Sequence, residues 1–342
     1  MQGGARPICY NMPVMVRRAV FLLCIVAALS AATPSIAAFD AAKQHVMSQK
    51  ISAAIDRAKG GRVGYVFIDA RTGLGVQVNG TMEFPAASVA KVPVLCAIFH
   101  AAYSDPDLLQ KKLRYKESDR VGGSGVLQWM RADTDYTVWN LARLMIVLSD
   151  NVATRILVEN FGMKNINQYL EENGLKATRV TDPTMLVEPP SSEVNLTSPY
   201  EMAKLISMIA RGDGFSPADQ KDMLSFMRHQ RYHWGIWRGV PAGVVVADKT
   251  GNLGGILNDA GIVYSKSGNY ILSIFTWGFK KQREARLLIN DLSKTTYETY
   301  TGEKVIKPVK KTWHRPVRKL KRTKAIRIKS KKHRTRKFIK RR

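Results

Sequence analysis

The chain has 342 residues, 45% of them apolar, enough for one large or two modest packed cores, which excludes a protein disordered throughout. Its formal charge of +27 is unevenly placed: from Lys304 to Arg342 there are 20 Lys or Arg and no Asp or Glu, leaving about +7 for everything before. The strongly basic character therefore belongs to a tail and not to a folded body.

Residues 1–38 read as an export signal: Arg17 and Arg18, the apolar run "AVFLLCIVAALSAA", then "TPSIAA" with small residues suited to cleavage after Ala37 or Ala38. The run is shorter than the roughly 20 residues a spanning helix needs. Leu23 ahead of Cys24 argues against a lipoprotein cleavage site. With Cys9 and Cys24 in or before the signal, Cys96 stands alone in the mature chain, where no intramolecular disulfide is available and its apolar context predicts a buried thiol.

Val46, Ile51 and Ile55 then space a helix that stops at "KGGR", and "RVGYVFIDARTGLGVQVN" has the pattern of a β-hairpin. Residues 86–239 are dominated by helical periodicity, as in "YTVWNLARLMIVLSDNVATRILVENF", "MKNINQYLEENG" and "SPYEMAKLISMIARG". Three more strand-like runs follow, "GVVVADKTG", "LNDAGIVYSKSG" and "NYILSIFTWG", and a last helix lies in "QREARLLINDLSKTTYETY". This order predicts an α+β fold: an antiparallel sheet of about five strands flanked by N- and C-terminal helices, with an inserted all-helical domain and a cleft at the seam. The expected boundaries are 39–85 with 240–302 for the discontinuous sheet domain, 86–239 for the helical domain, and 303–342 for a basic, disordered tail.

Three short motifs carry the chemistry. Ser88 and Lys91 lie three apart at the start of a helical run, so they share a face, and a helix start offers backbone N–H groups to developing negative charge. A serine hydroxyl needs such a base, and a lysine serves as one when burial and a nearby cation lower its pKa. Ser149, Asp150 and Asn151 interrupt an apolar helical pattern, which suits residues that face a cleft or cap a break. Lys249, Thr250 and Gly251 end a strand, in a place that also suits a simple turn.

Together, with Ser149 61 residues after Ser88 and Lys249 100 after Ser149, the set resembles that of the penicillin-recognising serine enzymes, the class A β-lactamases and penicillin-binding proteins. "GMKNINQYLEENGLKATRV", "NLTSPYEMAKL" and "LNDAGIVY" resemble the family's flanking segments, in order, over about residues 40–300. The resemblance implies that Ser88 is acylated, with Lys91 as proton acceptor or relay. Ser149 would pass a proton to the leaving nitrogen, helped by Lys249. Asn151, Lys249, Thr250 and Gly251 would bind substrate, Asn151 holding the substrate's side-chain amide and Thr250 the substrate's carboxylate. The backbone N–H groups of Ser88 and Asn252 would form the oxyanion hole. No cofactor or metal is implied, and His45, His100, His229 and His233 have no motif context.

One departure stands out. The family's Glu-x-x-x-Asn loop, whose glutamate activates the deacylating water, is replaced by "TRVTDPTMLVEPPSSEVNLTSP". Glu188 is the best local substitute, with Glu193 and Asp182 behind it. The expected function is a class A-type β-lactamase hydrolysing the β-lactam amide; the alternatives are a D-Ala-D-Ala peptidase acting on peptidoglycan stem peptides and an inactive envelope-binding protein. Export points to a periplasmic or extracellular monomer whose tail meets anionic envelope polymers or lipids in preference to nucleic acid.

Overall fold

The computed structural model of the chain describes residues 39–306; the segment expected to be an export signal and the basic stretch from Lys307 lie outside them. Helix α1 (Ala41–Arg57) is capped by Asp40, whose side chain accepts from Lys43 N at 2.8 Å, and buries Met47, Ile51 and Ala54 at helical spacing. The predicted hairpin forms as β1 (Arg62–Asp69) and β2 (Gly75–Val78). After the two-residue strand β3 (Phe84–Pro85) and a single 3₁₀ turn over Ala87–Ala90 comes α2 (Lys91–Ser104).

Strands β4 (Lys112–Tyr115) and β5 (Thr134–Thr137) pair with each other, followed by α3 (Val138–Val147), α4 (Asn151–Phe161) and α5 (Met163–Glu172). Strand β6 (Leu196–Thr197) pairs with β3. Helices α6 (Pro199–Arg211) and α7 (Pro217–Arg228) both start on a serine cap with proline in the first turn, Ser198 and Ser216. Strands β7 (Val245–Leu253), β8 (Ile256–Ser265) and β9 (Gly268–Trp277) and helix α8 (Gln282–Thr301) complete the fold.

The main sheet runs β2-β1-β9-β8-β7, antiparallel throughout, so the two ends of the sequence do share five strands. Strand alternation gives it two apolar faces. Tyr65, Phe67, Leu257, Tyr270 and Leu272 pack with Met47 and Ile51 of α1 and Ile289 and Leu292 of α8. Val66, Ala247, Ala260, Ile262 and Phe275 belong to the larger cluster with α2, α3, α4 and α6. The span Ala87–Ser104, the 3₁₀ turn together with α2, is long and apolar enough to cross a membrane by composition, yet it is mostly buried in that cluster and contains Cys96, whose thiol burial pushes upward in pKa. Strand β7 is an edge of the sheet, paired with β8 on one side and with no strand on the other among the described residues.

Two features depart from the periodicity. The single helical run expected over 136–161 is two helices, because Ser149 adopts φ +52° and Asp150 caps α4. The short β3–β6 and β4–β5 ladders have too few residues to leave a pattern. Packing also continues beyond α8: Val305 is buried in the α1–α8 cluster and its N–H donates to Glu298 at 3.0 Å.

Candidate active site

Ser88 sits half-buried on the 3₁₀ turn and Lys91, fully buried, opens α2. Ser88 and Lys91 are three residues apart across the junction of the turn and α2, a spacing that sets both on one side of the backbone. Ala87, just before the serine, has φ +47°, a left-handed conformation that costs a β-carbon residue energy and marks a turn held in place by its surroundings. Asn258 on β8 supplies that hold: its Nδ2 donates to the carbonyls of Pro85 and Ala86 at 2.9 and 3.1 Å, while its Oδ1 accepts from Thr276 N at 3.1 Å.

The break between α3 and α4 brings the second motif to the first. Lys91 Nζ lies 2.6 Å from the Ser149 carbonyl, 2.7 Å from Asn151 Oδ1 and 3.0 Å from Ser149 Oγ. Burial, and then the Lys249 cation, hold the Lys91 pKa well below that of a free lysine, against the opposing pull of Asp150. A neutral amine has two hydrogens and a lone pair. It can donate to the Ser149 carbonyl and Asn151 while its lone pair faces the Ser149 hydroxyl.

Asp150 points away from this pair. It caps α4 at Ala153 N (3.0 Å) and accepts from Val126 N and Leu127 N (2.6 and 2.9 Å), fixing the loop that forms the cleft rim. Asn151 ties down the same loop by donating to the carbonyl of Gly122 at 3.0 Å. A β-carbon at Gly125 would collide with the Asp150 carboxylate, and that glycine has φ +106°.

The third motif lines the opposite wall on β7. Lys249 Nζ lies 3.1 Å from Ser149 Oγ and 2.7 Å from the Thr250 carbonyl, and burial lowers its pKa to about 8 despite Asp248 and Asp259. A β-carbon at Gly251 would stand 3.0 Å from the Ala86 carbonyl and from Val89 Cγ2, so glycine lets this edge run against the Ser88 turn without a shift of either. Thr250 Oγ1 donates to Gln230 Oε1 at 3.1 Å, and Gln230 Nε2 donates to Asp248 Oδ1 at 3.0 Å. Asn252 is exposed beyond them, with Gln282 Nε2 at 3.2 Å from its Oδ1.

Beneath β7, Asp248 and Asp259 are buried; burial raises the first to about 6 and, together with the neighbouring Asp248 charge, the second well above an ordinary carboxyl. Asp259 Oδ2 accepts from Ile236 N at 2.6 Å, and Asp248 Oδ2 and Asp259 Oδ1 have no other donor among the described residues. A proton shared between these two carboxyls satisfies both oxygens.

Lys91, Ser149, Asn151, Lys249, Thr250 and Gly251 thus come together beside the Ser88 turn. The three loop carboxylates are placed differently. Glu188 is exposed, its carboxylate lies against Gly254 at the β7–β8 turn, and none of the hydrogen bonds of Lys91 goes to it. Asp182 organises its own loop, accepting from Thr184, Leu186 and Val187 N–H groups at 2.8–3.0 Å. Glu193 is exposed. Leu186 of the same loop is exposed, and its Cδ2 is 3.4 Å from where a Gly123 β-carbon would stand, a point 2.6 Å from Asn151 Nδ2. Of the histidines, His100 stacks near Tyr169 and His233 near Trp237, outside the cleft.

Sequence reading passed over Asn258, Gln230 and the Asp248–Asp259 pair. Polar residues inside otherwise apolar strands, "GVVVAD" and "LNDAGIVY", were the available signal.

A buried lysine pair around a serine hydroxyl, beside a second serine on a strained turn at a sheet edge, defines a serine acyl-transfer hydrolase. The chain belongs to the β-lactamase enzyme family, whose model matches residues 46–300. A β-lactamase of Citrobacter koseri is 25% identical over 275 residues, covering 79% of this chain and 92% of that protein. Among solved structures, one described as PBP-A is 28% identical with a TM-score of 0.70, covering 75% of this chain and 97% of the other. A β-lactamase of Sphaerobacter thermophilus is 25% identical with the same TM-score, covering 75% and 98%. The fold is that of the class A β-lactamases, and the protein is a serine β-lactamase-like hydrolase of that type.

Proposed function

We propose that this hydrolase is fully equipped to acylate Ser88 and poorly equipped to clear a β-lactam from it. In this reading Ser88 Oγ attacks the lactam or peptide carbonyl carbon and its proton passes to the neutral Lys91 amine, whose lone pair turns from the Ser149 hydroxyl to receive it. The oxyanion is met by the backbone N–H groups of Ser88 and Asn252, and the C–N bond breaks as the Ser149 hydroxyl gives its proton to the leaving nitrogen. The proton on Lys91 then restores Ser149, while Lys249 and Thr250 hold the substrate carboxylate and Asn151 its amide. The observation that carries the reading is the position of Ser149 Oγ between two amines, at 3.0 and 3.1 Å.

Hydrolysis needs a base for water, and the contacts of Lys91 include no carboxylate while Leu186 occupies the rim beside Asn151. This favours a long-lived penicilloyl-enzyme and supports peptidase action on D-Ala-D-Ala stem peptides beside slow β-lactam hydrolysis. A variant of PBP-A, 29% identical to this chain, has been described as an acyl-enzyme complex with penicillin G. Fluorescent-penicillin labelling tests the reading: the wild-type chain takes one label and Ser88→Ala none, and label surviving in Ser88→Ala overturns it.

The charge of the basic stretch supports a second assignment, an exported enzyme held electrostatically at anionic envelope polymers or lipids. Truncation after Ile306 then leaves labelling of Ser88 intact and abolishes salt-sensitive adsorption to vesicles containing anionic lipid; equal adsorption of both chains refutes it.

A further inference from the structure

A groove of about 610 Å³, within the usual range for ligand sites, lies behind the segment that carries Glu188. One wall is Pro189 and Pro190; another is Pro85 with Leu196, the β3–β6 ladder that leads into the Ser88 turn. Its far wall is Trp277, with the Arg62 guanidinium 5.0 Å from the ring centroid. The lining is mostly apolar, and its charges are unequal. Glu83 is held by Arg179 through two contacts of 3.0 Å, whereas Arg62 is exposed and forms no ion pair among the described residues. A guanidinium resting on an indole face keeps its N–H edge free for a carboxylate, and the stacking sets its plane in advance.

The groove also adjoins the catalytic cleft. Strand β7 carries Lys249 to Asn252 along the cleft and turns at Gly254, where the Glu188 carboxylate rests. The next strand residue, Ile256, is the register partner of Trp277. A donor lying along the β7 edge and longer than the scissile unit therefore passes the Glu188–Gly254 contact and arrives at Trp277 and Arg62.

We infer that this groove is a second subsite of the cleft, taking the distal, carboxylate-bearing part of a stem-peptide acyl donor against Trp277 and Arg62. The inference rests on the acyl-transfer reading above. It adds a reason for long donors to be preferred: a compact β-lactam spans Ser88 to Asn252 and leaves the groove unused, whereas remote contacts of a peptide contribute binding that can be expressed at the reacting bond.

The test is calorimetric titration of the full chain carrying Ser88→Ala, which prevents turnover. The two probes are L-Ala-γ-D-Glu-L-Lys-D-Ala-D-Ala and the truncated Nα-acetyl-L-Lys-D-Ala-D-Ala. The pentapeptide is expected to bind about tenfold more tightly, the size of one charge-assisted contact. Adding Arg62→Ala should bring it down to the tripeptide's affinity, and Arg62→Lys should restore part of the difference. The basic tail attracts an anionic peptide equally in each version, so the Arg62 difference isolates the groove. Equal binding of the two peptides, absence of pentapeptide binding, or a gap that survives Arg62→Ala overturns the subsite. Failure of the acyl-transfer reading shows separately, as a wild-type chain that penicillin does not label.

Discussion

Lys91 and Lys249 converge on one oxygen, Ser149 Oγ, from 3.0 and 3.1 Å. Two buried amines this close cannot both carry charge cheaply, and the pKa directions divide the work: Lys91 well below its ordinary value, Lys249 at about 8. Acylation requires Lys91 neutral and Lys249 charged, so its second-order rate constant should rise as Lys91 loses its proton and fall again through about pH 8. Lys249→Arg, which stays charged, is expected to acylate more slowly but to lose the alkaline limb. Stopped-flow acylation across pH checks this; an unmoved limb in Lys249→Arg assigns it to another group.

Deacylation should respond to position 186 and ignore position 188. Leu186 reaches the rim at Asn151, whereas Glu188 rests on Gly254. Leu186→Glu is expected to speed hydrolysis of the penicilloyl-enzyme by about 10²-fold, the lower range for a positioned general base. Glu188→Gln should change it less than about twofold. Loss of hydrolysis in Glu188→Gln would restore Glu188 as the base.

Asn258 positions the nucleophile without touching substrate. Asn258→Ala strips the Pro85 and Ala86 carbonyls and Thr276 N–H of their partner, at a cost of about 2–3 kcal/mol in urea denaturation. The relaxed Ala87 turn should also slow acylation at saturating penicillin more than it weakens binding. Wild-type acylation in a destabilised Asn258→Ala would leave the residue a purely structural role.

The Asp248–Asp259 pair makes stability depend on pH. Both carboxyls are raised in the folded state, so their contribution is fully present below about pH 4 and is lost as pH rises through about 6, the value of Asp248, and beyond. The wild-type chain should lose on the order of 2–3 kcal/mol between pH 4 and pH 8, from a shift of about two units on Asp248. Asp259→Asn keeps an acceptor for Ile236 N and offers Asp248 a permanent donor, and should flatten that decline. Urea denaturation at the two pH values decides, and a flat wild-type profile contradicts the shared proton.

Five strand-like runs exposed the sheet, because each is rich in β-branched or aromatic residues and bounded by turn residues. The polar interruption at Ser149–Asn151 suited either residues facing a cleft or a cap at a break, and the structure puts Asp150 as the cap at the α3–α4 break. Other features needed three dimensions. Asn258 holds residues 172 and 173 positions earlier, and no local pattern announces that reach. Glu188 had the right chemistry in the right loop, yet the loop turns it to Gly254 and presents Leu186, an outcome of Asp182 binding the N–H groups of Leu186 and Val187.

The central claim, fast acylation with slow release, is tested most directly by intact-protein mass spectrometry of the wild-type chain mixed with excess penicillin and sampled over time. The expected result is an adduct of one drug mass, located on Ser88, that forms quickly and persists after free drug is removed, with slow drug consumption. An adduct that vanishes within the first samples while the excess drug is consumed would contradict it, and would place an efficient deacylating base in a site where Lys91 has no carboxylate partner.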